Sequence, residues 1–201
     1  MPISMPTRPG FTACRFGLMT HTQTFTSPLS NATQRALLGG AKWMANYSLP
    51  AMNRAQMADW QAFILQLEGG VNTFNAYDPD AMTPRGVATG TPLVKGASQT
   101  GSTLLVDGLP ASLINWLLPG DYFACNGELK MLTQPANTNG SGETTLYFKP
   151  ALRNSPADNA PLTVNTATCT MVLTDDAQSM WQTGTRIGFY EPFSFSAYEV
   201  F

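Results

Sequence analysis

The chain sets two aspartates one residue apart, Asp78 and Asp80, ahead of Arg85 in "FNAYDPDAMTPRGVATGTPLV". Two acids and a base at that spacing could hold a cation or share a proton in a hydrolysis. The surrounding residues fit neither chemistry. A calcium loop opening at Asp78 needs glycine at its sixth position and glutamate at its twelfth, where Thr83 and Thr89 stand. A glycosidase needs its two carboxyls roughly 5–10 Å apart across a cleft, which sequence neighbours seldom supply. The same holds for Asp175 and Asp176. Both pairs read as turn residues, because aspartate accepts backbone N–H bonds at chain reversals.

The other candidate motifs fail on equally specific grounds. "GASQTGST", Gly96 to Thr103, has the glycine spacing of a phosphate loop, but Ser102 replaces the lysine and "TLLVDG" reads as a strand where a helix N-terminus is needed. It reads as a hairpin loop. His21 is the single histidine, too few for the common imidazole metal sites, and no serine lies in a nucleophile elbow for it to activate. It reads as an exposed strand residue. Cys14, Cys125 and Cys169 are far apart and odd in number, which fits neither a disulfide framework nor a zinc site. They read as small buried apolar residues. No catalytic, cofactor-binding or metal site is expected, which favours a structural or binding protein over an enzyme.

The elements behind these residues read as mainly β: short alternating segments bounded by Gly, Pro, Asn and Asp. In "AKWMANYSL", Trp43, Ala45, Tyr47 and Leu49 share one strand face, with Lys42, Asn46 and Ser48 on the other. A strand in "THTQTFTSPLS" is signalled weakly, from Phe25. One helix is expected over 53–68: Asn53 and Gln56 form a capping box, Met57, Trp60, Phe63, Ile64 and Leu67 make an apolar stripe, and Gly69-Gly70 ends it. A second set of strands follows, "STLLVDG", "GDYFACNGELKML", "GETTLYFKPAL" and "APLTV", with tight turns at Asp107-Gly108 and Asn126-Gly127. It reads as a small barrel, with "PASLINWLLPGD" as a helical turn capping it. From Thr166 the first style returns, with Phe193 and Phe195 alternating with serine. The expected layout is a discontinuous β-sandwich, 1–85 plus 166–201, with a barrel inserted at 86–165.

Composition adds a constraint on partners. Charged residues are 12% of the 201, against roughly 25% in soluble proteins. Interface cores are depleted in the same residues, so the surface reads as one largely covered by neighbouring subunits, the alternative being a secreted protein with a Ser/Thr-rich surface. Net charge is −2 with the basic residues scattered, which argues against specific nucleic-acid binding. No run has membrane-spanning length and the N-terminus lacks a signal peptide's apolar core, so a soluble, cytoplasmically made protein with no membrane insertion is expected.

"TFTSPLSNATQ", then "AKWMANYSLPAMNRAQMADWQAFILQLEGGVNTFNAYDP", then "PRG" resembles the distal-tail and related minor tail proteins of long, non-contractile-tailed bacteriophages, over roughly residues 22–90. In these a strand bearing Trp leads into a "W..FL..L.G" helix and a strand ending "F…DP". The resemblance implies a β-sandwich core with one packed helix, interrupted by a barrel of the oligonucleotide/oligosaccharide-binding (OB) type. It also implies a homohexameric ring in the virion, at the tail tip or baseplate, joining the tail tube protein to the hub and other tail-tip proteins. The core would line the DNA channel and the barrel would face outward. Trp43, Tyr47, Met57, Trp60, Phe63, Ile64, Leu67, Phe193 and Phe195 are then the core and subunit-packing candidates. The alternative is a carbohydrate-binding module contacting host surface polysaccharide through Trp116, Tyr122 or Tyr147.

Overall fold

The computed structural model describes residues 2–185 and 188–201. Short strand β1 (Ile3–Ser4) precedes two long ones, β2 (Ala13–Thr26) and β3 (Thr33–Leu49); β4 (Met52–Asn53) then leads directly into helix α1 (Arg54–Gln66). After β5 (Phe74–Ala76) come β6 (Leu93–Val94), β7 (Gly101–Asp107), β8 (Tyr122–Cys125), β9 (Glu128–Leu132), β10 (Thr144–Leu152) and β11 (Leu162–Thr163). The chain closes with β12 (Cys169–Leu173), β13 (Phe189–Tyr190) and β14 (Phe193–Glu199). Strand outweighs helix at 43% to 10%, so the class is mainly β, with a sandwich-like sheet arrangement, one helix and a barrel-like sheet. No described helix is long and apolar enough to cross a membrane.

The chain divides into two compact units: Pro6–Asn72 with Met171–Phe201, and Met1–Met5 with Thr73–Thr170. In the first, β14 lies between β12 and β3, and β2 forms the edge. Antiparallel partners lie on the same face, so the pairs Phe193↔Leu49, Phe195↔Tyr47 and Ala197↔Ala45 build one apolar surface. Helix α1 covers it. Asn53 caps the helix, its Oδ1 accepting from Gln56 N at 3.0 Å while Gln56 Oε1 accepts from Asn53 N at 3.2 Å. Both orphan amides are thereby satisfied. Met57, Trp60, Phe63 and Ile64 are the buried stripe. The Phe195 ring sits 5.2 Å from Tyr47, 6.0 Å from Trp60 and 6.3 Å from Phe63, joining sheet to helix.

Strands β2 and β3 continue past this sheet as a two-stranded ribbon. The register runs to Met19↔Lys42 and resumes at His21↔Leu38, which sets Gly39, Gly40 and Ala41 against Thr20 alone. Gly40, at φ +92°, makes this bulge possible, since that conformation suits a residue without Cβ. The ribbon is much longer than the weak strand signal at Phe25 implied.

In the second unit the sheet order is β11-β8-β9-β10-β7-β6, and its two end strands meet. Leu93 bridges Pro161, Val94 N donates to Ala160 O at 2.9 Å and Leu162 N donates to Pro92 O at 3.0 Å. The sheet is therefore nearly closed into a barrel, filled by Val94, Leu104, Val106, Trp116, Phe123, Leu146 and Phe148. Closure leaves no broad free edge for association. The helical turn expected in "PASLINWLLPGD" does not form: Ser112 and Asn115 hold φ of 55° and 56°, and Trp116 N instead donates to Ala136 O at 2.9 Å. Left-handed residues cannot continue a right-handed helix.

Candidate functional site

The acid-and-base stretch is a clasp for the chain itself. Asp78 Oδ1 accepts from Asp80 N at 3.2 Å and its Oδ2 from the Tyr122 hydroxyl at 3.3 Å. Arg85 Nη1 donates to the Pro119 carbonyl at 3.4 Å. The charge that organises the crossing is one the sequence did not single out, Asp121, which is 3% exposed. Its carboxylate accepts from Arg85 N at 2.8 Å, Gly86 N at 3.1 Å and Leu118 N at 2.8 Å. A Cβ at Gly86 would collide with the Trp116 carbonyl oxygen and lie 2.7 Å from Leu117 Cα, so the chain lies flush there only because residue 86 is glycine. Where the chain returns, Thr166 N donates to Met82 O at 2.6 Å, so outgoing and returning segments are joined.

Asp121→Ala would strand three amide donors. It is expected to lower stability by about 2–3 kcal/mol, the scale of leaving buried donors unsatisfied, with Asp121→Asn recovering part of the loss through its one remaining carbonyl oxygen. Urea unfolding followed by circular dichroism checks this, and three superimposable curves would remove the clasp.

A second buried charge group lies at the β8/β9 turn. Lys130 is 0% exposed and its Nζ donates to Glu128 Oε2 at 2.6 Å and to the Ala151 carbonyl at 2.8 Å. Glu128 also accepts from the amides of Arg153 at 3.1 Å and Asn154 at 3.0 Å. Burial pushes the Glu128 carboxyl up; the bonds from Lys130 and the two amides, with the Lys130 charge, outweigh it and hold the group below its ordinary value. Burial also raises the neighbouring Cys125 thiol, and the Glu128 charge adds to that. A thiol raised in this way is less nucleophilic at neutral pH, and the charge group fixes the hairpin turn.

The remaining motifs hold loops. Gln99 Nε2 donates to the carbonyls of Lys95, Gly96 and Leu105, and its Oε1 accepts from Leu105 N, so the "GASQTGST" turn is closed over its own amide side chain. Lys95 pairs with Glu143 across the barrel surface, and the hydrogen bonds from Lys95 and Asn139 lower the Glu143 carboxyl. Asp175 Oδ1 accepts from Ala177 N at 2.9 Å, and Asp176 Oδ1 from Gly70 N at 3.2 Å. His21 is an exposed residue of β2. Cys125 and Cys169 are buried and Cys14 is half-buried. Among the described residues no three of His, Cys, Asp and Glu are grouped to hold a metal ion.

The aromatic glycan candidates separate by burial. Trp116 is 0% exposed, with Nε1 donating to the Thr89 carbonyl at 2.9 Å. Tyr122 is 5% exposed and turned to Asp78. Neither presents a ring to a sugar, which corrects the expectation for both: Trp116 belongs to the barrel core, and Tyr122, which precedes the inward Phe123 on β8 and so lies on the other strand face, is covered beside Asp78. Tyr147 remains, 42% exposed on β10 opposite Thr103. Trp43, Tyr47, Met57, Trp60, Phe63, Ile64, Leu67, Phe193 and Phe195 are all buried.

The geometry thus assigns the polar groups to internal work, in a mainly β chain of sheet, helix and barrel-like units. No family model matches the chain. A search of the curated proteins gives no match either.

Proposed function

We propose that this chain is a structural subunit of the tail tip of a long, non-contractile-tailed bacteriophage. It assembles as a closed ring, sixfold, between the last ring of the tail tube and the hub or fibre-bearing tip, around the passage for DNA. The observation that carries the reading is the course of the chain. A unit of sheet and capped helix is left after Asn72 and rejoined at Met171, with a six-stranded barrel sheet between. The resemblance of the 22–90 region implies a core interrupted by a barrel, and this course of the chain supports that reading. The low charged content, 12%, supports it further, because covered subunit surfaces are poor in Lys, Glu and Asp.

In this reading the protein does no bond chemistry; it supplies a fixed adaptor geometry set by the symmetry of its contacts. The test is antibody labelling of tailed particles carrying this chain, viewed by electron microscopy. Label confined to the end of the tail away from the head is the expected result. Label on the head, along the whole tube, or nowhere would overturn the assignment.

A further inference from the structure

Every residue from Met19 to Gly40 except Ser27 is exposed, although the strand pairing continues through six rows, His21↔Leu38 to Thr26↔Thr33. A lone two-stranded ribbon is marginal in water. The rows give the two faces different character. Phe25, Ala36 and Leu38 share one face with His21, Gln23 and Gln34, while Leu37 lies among threonines on the other. Phe25 is 63% exposed and Leu29, at the turn, 96%. Among the described residues neither ribbon edge has a partner strand: β2 ends the sheet order, and β14 pairs β3 over Met44–Leu49. Strands meant to stay in water carry charges as guards against edge pairing, but Arg35 is the one fixed charge between Met19 and Gly40.

We propose that the ribbon is an arm covered by a second copy of this chain, its Phe25–Ala36–Leu38 face lying over the open side of that copy's sheet around Gly17. The exposed run of about twenty residues matches the roughly 20–30 residues, about 800 Å², that each partner gives to a stable interface. A single arginine offers nothing to phosphates or an anionic lipid surface, so a partner of ordinary protein surface fits best. The chain itself supplies the seat: a groove lined by Arg15, Gly17, Met19, Met44, Asn46 and Ser196. A Cβ at Gly17 would meet nothing within 4 Å, and glycine inside a strand lets another backbone come close. The arm runs on from the groove's margin at Met19, away from it, so the groove is filled by a neighbour's arm. Arm and seat are different surfaces, so the contact is head-to-tail, which closes into a ring when the rotation allows. The inference rests on the ring-subunit reading only for that closure.

The test uses the full chain and two variants, weighed by light scattering and sedimentation, with circular dichroism to confirm folding. In the first, residues 20–41 are replaced by Asn-Gly, joining the paired Met19 and Lys42 through a two-residue turn that suits a hairpin. In the second, Gly17→Trp blocks the seat; residue 17 has no positive φ, so the backbone accepts the change. The native chain should assemble, and each variant alone should fall to the monomer mass. Mixed, they should form a one-to-one complex and nothing larger, because one keeps a seat and the other an arm. A native chain that stays monomeric at every concentration would overturn the proposal, leaving the arm to a different protein. Assembly of the arm-shortened variant would overturn it too, and assembly of Gly17→Trp would overturn the seat. None of these outcomes alters where antibody labels a particle, so tail-tip placement stands or falls separately.

Discussion

Trp60→Ala is expected to destabilise the sheet-and-helix unit by about 3–5 kcal/mol, the range for truncating a buried large aromatic. Trp60 is 0% exposed and ties three pieces of chain together. Its ring contacts Phe11 at 5.6 Å, Phe63 at 5.8 Å and Phe195 at 6.0 Å, and Nε1 donates to the Arg8 carbonyl at 3.2 Å. The first contact reaches the segment before β2, the second lies within the helix, and the third reaches β14. Alanine removes all of these and leaves a cavity that rigid neighbours fill only in part. Trp60→Phe keeps a ring but loses the hydrogen bond and some volume, and should cost about 1–2 kcal/mol. Denaturant unfolding read by far-ultraviolet circular dichroism measures both without relying on the indole removed. An Ala variant with the native midpoint would mean that the helix is anchored elsewhere.

The parts of this fold legible in the sequence were those whose determinants are close together along the chain. Asn53, Gln56 and the stripe from Met57 to Leu67 lie within five turns, and each residue acts on a partner three or four positions away. The Asn126-Gly127 turn was legible for the same reason: its φ values of 52° and 77° are those such a dipeptide takes between hairpin strands. Asp121 was not legible, because two of its three amide partners lie at 85 and 86, and nothing in "LLPGDYF" distinguishes a buried carboxylate from a turn residue. The ribbon was underestimated because its threonines, glutamines and scattered apolar residues lack a one-sided alternation. Only its pairing with β3 reveals a strand. Trp116 and Tyr122 misled in the opposite direction, since their cover comes from residues far apart in sequence: Val94, Leu146 and Phe148 share the barrel core with Trp116, and the Asp78 turn lies beside Tyr122.

Glu128 and Lys130 were hidden by a related ambiguity, since alternating charges usually mark a solvated strand face, and here that face is inside. The inward placement gives the second large prediction. Glu128→Ala takes the carboxylate away from the Lys130 ammonium, 0% exposed, whose Nζ also donates to the Ala151 carbonyl at 2.8 Å, and removes the acceptor of the Arg153 and Asn154 amides. A loss of about 3–5 kcal/mol is expected, as for removing one partner of a buried pair. Lys130→Met added to Glu128→Ala should restore part of it by removing the buried charge that has lost its carboxylate, so the double variant should be more stable than Glu128→Ala alone. Simple additivity would show that the ion pair is not the source of the effect. The pH dependence follows from the lowered Glu128 carboxyl. A depressed folded value makes its stabilisation complete above the ordinary carboxylate range, and the stabilisation is lost as pH falls through that lowered value. Glu128→Gln should therefore lower stability at neutral pH and flatten the acid limb of the unfolding free energy. An acid limb parallel to that of the native chain, measured by denaturant unfolding from neutral pH down to about pH 3, below the ordinary glutamate range, would place the acid sensitivity in other carboxylates.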